Sequence, residues 1–240
     1  MKKKLQLVQV NNSYGSQYFI PYSAGLLQAY CSQFEQIKEN FDFLKLIYKQ
    51  EDDLEEQVKS LGKLDIVGQS CYVWNWKFNL TFAEMVRKHN PKALIILGGP
   101  QVPDDSDGFF EKYPFVDILC HGEGELVFNE ILKEYIGDNK YGTIEGVTYN
   151  DRENKEIFYL PRPARAIDLE SIPSPYLDGT FSELMKEDIV WQASWETNRG
   201  CPYRCTFCNW GSEYYDKVRK FSLEGRLKKE IEWFSKNKIN

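Results

Sequence analysis

"LDIVGQSCYVWNWKFNLTFAEMVRKHNPKALIILGG", residues 64–99, decides the fold. Its two ends, "LDIVGQS" (64–70) and "ALIILGG" (93–99), are short apolar runs of strand length. Between them "LTFAEMVRKH" (80–89) is a helix-forming stretch. Strand, helix and strand in close succession predict a parallel crossover. The same alternation extends in both directions. Further strands are expected at "LQLVQV" (5–10), "FLKLIY" (43–48) and "VDILC" (116–120). Further helices are expected at "YSAGLLQAYCSQF" (22–34), "DDLEEQVKSL" (52–61), weakly at "DGFFEKY" (107–113), and at "ELVFNEILKEYI" (125–136). In the last, Val127, Ile131 and Tyr135 share one apolar face. The pattern predicts an α/β domain over residues 1–140, a doubly wound parallel sheet with helices on both faces. In such a sheet ligands bind beyond the carboxyl ends of the strands.

The style changes after residue 140. "IEGVTYN" and "KEIFYLP", separated by "DREN", read as a small hairpin. "PRPARAIDLESIPSPYLDG" is rich in proline, which fixes φ and removes donors, so 141–187 is expected to be hairpin plus extended linker. From residue 188 the order is strand ("DIVWQASWETN", 188–198), a cysteine-rich loop, and a helix ("SLEGRLKKEIEWFSKN", 222–237). Leu223, Leu227, Ile231 and Phe234 are expected to form that helix's apolar face, with Ser222 as its N-cap.

Hydrophobic residues make up 42% and charged residues 28% of the 240, the balance of a globular chain that can bury a core. A net charge of −6 with mixed signs argues against nucleic acid or an anionic membrane as partner. "MKKK" is followed by too short an apolar run for a signal peptide, and no run approaches a membrane span. A cytoplasmic location is expected, where thiols stay reduced and clustered cysteines favour metal over disulfide.

Three of the six cysteines lie in "RGCPYRCTFCNWGS" (199–212): Cys201, Cys205 and Cys208. Three thiolates on one short loop can converge on a soft-metal centre. Structural zinc takes four protein ligands, and no fourth is evident: His89 and His121 both lie in the first domain, and Cys120 is remote in sequence. Three thiolates with one open position suit an iron–sulfur cluster that binds something at its unique iron.

"CPYRCTFC" resembles the CxxxCxxC loop of the radical S-adenosylmethionine (SAM) superfamily, and "ETNRGCPYRCTFCNWGS" resembles the longer loop of its cobalamin-binding branch. The resemblance implies a [4Fe–4S] cluster on Cys201, Cys205 and Cys208, with SAM chelating the fourth iron and cleaved there to a 5′-deoxyadenosyl radical. It implies Phe207 near the adenine, and Arg199 and Gly200 shaping the loop. It implies that the first domain is a Rossmann-like domain of the cobalamin-binding type, and that residues 188–240 begin a partial (β/α) barrel. The cobalamin pattern DxHxxG, SxL, GG is matched in part. Ser70 stands after the third strand, with Tyr72 in place of Leu, and Gly98 and Gly99 follow the fourth. In "VNNSYG" (10–15) only Gly15 remains, with Asn12 where the histidine would stand. Either cobalamin is bound without a histidine ligand, or the fold has lost its ligand. "HGEGE" (121–125) offers Gly122 and Gly124 to a ligand, and "CYVWNW" (71–76) either covers a flat ring or is a buried strand end.

The resemblance implies cobalamin-dependent radical SAM chemistry, methyl transfer above all, on an unidentified small-molecule or peptide substrate, with flavodoxin or ferredoxin as electron donor. The alternatives are a non-catalytic cobalamin-binding module with a vestigial cluster loop, and a zinc-stabilised interaction protein. A complete barrel takes roughly 250 residues. Residues 188–240 are therefore expected to be the truncated start of one, weakly held, with proteolysis releasing a core near 1–160.

Overall fold

The strands of the crossover lie side by side at the centre of a larger sheet. The computed structural model describes residues 1–13, 15–162, 168–203, 205–208 and 218–239. In chain order, β1 (Lys3–Val8) and the short β2 (Gln17–Phe19) precede α1 (Tyr22–Cys31), α2 (Glu35–Asn40) and β3 (Phe41–Phe43). Next come α3 (Leu54–Ser60), β4 (Ile66–Ser70), α4 (Trp76–His89), β5 (Leu94–Gly98), α5 (Phe109–Lys112), β6 (Ile118–Cys120) and α6 (Gly124–Ile136). A hairpin of β7 (Val147–Asp151) and β8 (Glu156–Leu160) comes after α6.

These strands form a seven-stranded sheet in the order β3-β1-β4-β5-β6-β7-β8. β3, β1, β4, β5 and β6 run parallel, while β7 and β8 are antiparallel additions. The chain leaves β1 for β3 on one side and returns to β4 on the other. That reversal is a topological switch point, and it opens a crevice at the strand ends.

Side chains alternate across the sheet as its pleat requires. Leu5, Leu7, Ile66 and Ile96 face one core with α1 and α6. Val67 and Ile95 face a second core, with Val58 from α3 and Phe82, Ala83 and Val86 from α4. Leu97 and Leu119 enter a third cluster with Phe109 and Phe110. Each large side chain fully buried this way contributes roughly 1.5–3 kcal/mol. Local signals set the helix starts: Asp53 accepts the Glu56 N–H at 2.9 Å and caps α3.

Several expectations are corrected. The hairpin is no separate appendage, because β7 pairs with β6 and carries the sheet past residue 140 to Leu160. The segment from Asp168 is not an extended linker: Leu169, Ile172, Tyr176, Phe181 and Leu184 are buried against the α1/α6 core. Residues 163–167 of the expected linker lie outside the described residues. The strand expected over 188–198 is shorter, β9 (Val190–Gln192), and it pairs in parallel with β2. β10 (Asn198–Arg199) and β11 (Arg219–Lys220) form a separate antiparallel pair.

The last helix begins with a π-turn at Leu223–Leu227 and continues as α7 (Lys228–Lys236), with Ser222 at its head accepting the Gly225 N–H at 2.9 Å. The wider π-turn shifts the helical phase of α7. Leu227 is buried, yet Leu223 and Ile231 remain 66% and 49% exposed, so the expected apolar face is only partly used. Trp191, Phe221 and Leu227 nonetheless join the same core as Leu5. The described residues around Trp191, Phe221 and Leu227 are thus packed on the first domain's core. No helix among the described residues is long and apolar enough to cross a membrane.

Candidate cofactor cleft and cysteine loop

A cavity of about 360 Å³ opens at the carboxyl ends of β1, β4, β5 and β6. Leu7, Leu26, Leu27, Ile96 and Phe128 give it apolar walls, and Gly68, Ser70, Gly98, Gly99, Gly122 and Gly124 leave those walls shallow. The expected Ser70, Gly98, Gly99, Gly122 and Gly124 are thus brought together. Gly15 is not among the lining residues; it is exposed on the loop before β2.

Two glycines show what the wall requires. Gly99 has φ +110°, and a Cβ there would stand 2.7 Å from the Cys71 carbonyl oxygen. A side chain is therefore excluded both by conformation and by backbone contact. A Cβ on Gly98 would meet only Cys120, at 3.4 Å. No clash forbids it, so the missing side chain serves as open space in the cavity wall.

The turn from β4 into α4 is held by side-chain amides. Asn75 accepts the Tyr72 N–H at 2.7 Å and donates to the carbonyls of Val10 and Ser70, each at 2.9 Å. Asn79 donates to the Ser70 carbonyl at 3.0 Å, and Gln69 donates to the Asn79 carbonyl at 2.9 Å. This network starts α4 at Trp76, four residues before the expected Leu80. It also fixes Tyr72, whose hydroxyl meets Ser23 at 2.6 Å and whose ring stacks on Trp74 at 4.6 Å and 7°. Burial raises the Tyr72 pKa, so its hydroxyl stays protonated. "CYVWNW" is therefore divided: Cys71 is core, Tyr72 is cavity wall, and Trp74 is 49% exposed.

No histidine lines the cavity. His121 is buried, with Nε2 at 2.8 Å from Thr148 Oγ1, and burial lowers its pKa. His89 is engaged with Glu55 at 3.2 Å. Burial pushes the thiols of Cys71 and Cys120 up to about 12, so neither is a thiolate near neutrality.

The cysteine loop adjoins this cavity. Asn198, Arg199 and Gly200 line its wall, and Gly200 has φ +96°. Cys201 and Cys208 are half-buried and Cys205 is exposed, with the Cys208 N–H donating to the Cys205 carbonyl at 3.1 Å. Among the described residues no three His, Cys, Asp or Glu side chains are gathered closely enough to hold a metal ion. Phe207 is 90% exposed. Residues 204 and 209–212 of the quoted loop, and 213–217 after it, lie outside the described residues.

Sequence reasoning missed the acidic rim of the cavity. Glu123, Glu125 and Glu196 all line it, and each pairs with Arg199. Burial opposes the charge of Arg199, but Glu125 and Glu196 outweigh it and raise the guanidinium pKa above its usual value. The available signal is the alternation in "HGEGE", where the carboxylates between the glycines are as informative as the glycines.

The chain is similar to several known proteins. Residues 21–132 match the B12 binding domain family. The chain is 39% identical over 226 residues to a cobalamin-dependent radical SAM methyltransferase, TokK, of Streptomyces tokunonensis, covering 92% of this chain and 33% of that protein. It is 39% identical over 228 residues to the 2-(S-pantetheinyl)-carbapenam-3-carboxylate methyltransferase of Streptantibioticus cattleyicolor, with the same coverage. The chain thus spans about one third of the length of these relatives. Among solved structures it superposes on the cobalamin-dependent SAM radical enzyme OxsB with a TM-score of 0.74 at 24% identity, over 99% of this chain and 32% of that one. It also superposes on the radical SAM methyltransferase TsrM of Kitasatospora setae, with a TM-score of 0.69 at 14% identity, over 100% of this chain and 47% of that one. At these identities the two structures establish a shared fold.

Proposed function

Because the chain belongs to the B12-binding-domain-containing radical SAM proteins, we propose that it forms the cofactor-binding portion of a cobalamin-dependent radical SAM methyltransferase. One observation carries the reading. The glycine-lined cavity at the strand ends and Gly200, next to Cys201, belong to one continuous wall. The cavity and the cluster loop therefore border each other.

The residues present fit cobalamin. Gly98 leaves open space in the wall and Gly99 a close backbone approach, while Leu7, Leu26, Ile96 and Phe128 take apolar parts of the ligand. Tyr72, braced by Ser23 and Trp74, flanks the opening. No imidazole reaches the cavity from its lining, so the wall itself provides no histidine for cobalt. Cys201, Cys205 and Cys208 are a donor set of the right chemistry for three irons. When bound, cobalamin would supply a methyl group for transfer, and the cluster with SAM would supply the radical that activates the acceptor. The chain's own residues bind, orient and shield these groups. The proposed acceptor is a small molecule or a peptide, one relative being named for a carbapenam, and a reduced flavodoxin or ferredoxin is the proposed electron donor.

A zinc-stabilised loop is disfavoured because neither His89 nor His121 lines the wall that adjoins the cysteine loop. Anaerobic reconstitution with iron and sulfide tests the proposal. The expected result is about four irons per chain, lost when the three loop cysteines are replaced by alanine. Stoichiometric zinc in place of iron would contradict it.

A further inference from the structure

The geometry points to a positioning clamp, Arg199 and Arg219 on Glu123 and Glu125, that seats the cysteine loop against the cavity. Its purpose rests on the proposed cofactor binding; its geometry does not. β10 and β11 pair antiparallel with Arg199 opposite Arg219, and the Phe221 N–H extends the ladder to the Thr197 carbonyl at 3.1 Å. Cys201, Cys205 and Cys208 therefore lie on one loop with a narrow neck.

Both neck arginines reach one carboxylate, Glu123. Arg219 Nη2 lies 2.8 Å from Glu123 Oε1, and Arg199 Nη1 lies 3.5 Å from that same oxygen. Arg199 Nη2 bonds Glu125 Oε1 at 2.5 Å. Glu123 immediately precedes α6 and Glu125 stands in its first turn, where the helix dipole favours negative charge. Arg199, Glu123 and Glu125 are 11%, 10% and 5% exposed, so solvent screens these pairs little. A third tie runs to α1: Glu196 accepts Arg199 Nε at 2.8 Å and the Tyr22 hydroxyl at 3.1 Å.

The neck needs such a fastening. Each of its strands is two residues long, and Gly200, directly beyond, has the freedom of a left-handed glycine. Backbone pairing this short fixes an orientation weakly. Charge-assisted contacts from Arg199 to Glu123 and Glu125, and from Arg219 to Glu123, fix it well. Glu123, Glu125 and Arg199 also line the cavity, so the clamp stands between the two cofactor sites. These four are positioning residues for the cysteine loop, acting through its neck.

The test compares the wild-type chain with Glu123→Gln/Glu125→Gln. In hydrogen–deuterium exchange of the apo chain, amides of 197–201 and 219–221 should exchange roughly tenfold faster in the variant, with α1–α6 unchanged. After reconstitution with iron and sulfide, a chelator should remove iron from the variant roughly tenfold faster, with a broadened paramagnetic signal from the reduced cluster. The conservative chain Glu123→Asp/Glu125→Asp, which keeps both carboxylates, should retain more of the neck protection than the Gln variant. Equal exchange in the two chains would overturn the clamp, and so would faster exchange spread over the whole sheet. Should the double variant fail to fold, Arg219→Gln at the clamp's outer edge gives the same comparison. Failure of the wild-type chain to take up iron would count against the proposed cofactor binding, while the exchange experiment still decides the clamp.

Discussion

Gly99 is the residue on which the cavity wall depends most closely. Its positive φ and the 2.7 Å approach of the Cys71 carbonyl leave no place for a Cβ. Gly99→Ala is expected to cost about 1–3 kcal/mol in chemical denaturation, and to weaken cobalamin uptake by displacing the β4 and β5 strand ends. His121 gives a second, independent prediction. Burial lowers its pKa, so the unfolded chain takes up a proton at a pH where the folded one does not. Asp104 opposes that shift, Arg162 adds to it, and Thr148 holds the ring. The stability contributed by neutral His121 is complete above the ordinary histidine range and is lost as pH falls through the lowered native value. His121→Gln, which keeps a partner for Thr148, should lose less unfolding free energy than wild type between about pH 7 and 5. Parallel curves for the two proteins would refute this. Neither role was visible in the residue type alone. Gly99 was legible as a glycine at a strand end, but the contact that demands it comes from Cys71.

At the scale of elements, α1 shows how the far end of the chain is fixed. A Cβ on Gly25 would lie 2.3 Å from the Phe181 ring, so that helix can meet the 168–185 segment only where it has no side chain. Gly25→Ala is expected to destabilise by about 1–3 kcal/mol through overpacking, measured as a lower denaturation midpoint with unchanged slope. α7 is held by a buried charge instead. Glu230 is fully buried and bonds Arg226 at 2.8 Å, Ser174 at 2.5 Å and Trp195 at 2.7 Å. Glu230→Ala leaves Arg226 buried without its carboxylate and should cost about 3–5 kcal/mol. The central strands were readable because each carries its own apolar run within a residue or two of the observed bounds. The start of α4 was not, because Asn75 and Asn79 are polar residues whose role appears only once Ser70 and Val10 stand beside them. The parallel pairing of β2 with β9 joins residues far apart in sequence through three-residue strands that carry no periodicity.

For the whole molecule, the crossover in residues 64–99 correctly implied a doubly wound sheet, and the cleft lies at the carboxyl ends of its strands, as such a sheet implies. The packing does not stop at the boundaries expected at residues 140 and 187. The hairpin extends the sheet, and the segments on either side of the cysteine loop bury Tyr176, Trp191, Phe221 and Leu227 in the same core as β1. Limited proteolysis should therefore leave residues 168–192 and 221–236 attached to the sheet; release of a stable core ending near residue 160 would contradict the observed packing. The central claim is that the cavity holds cobalamin. Equilibrium dialysis of the purified chain against hydroxocobalamin tests it most directly. Saturation is expected near one cobalamin per chain, lost in a folded Gly98→Trp variant that fills the cavity wall. No uptake by the wild-type chain, or equal uptake by both, would contradict the claim.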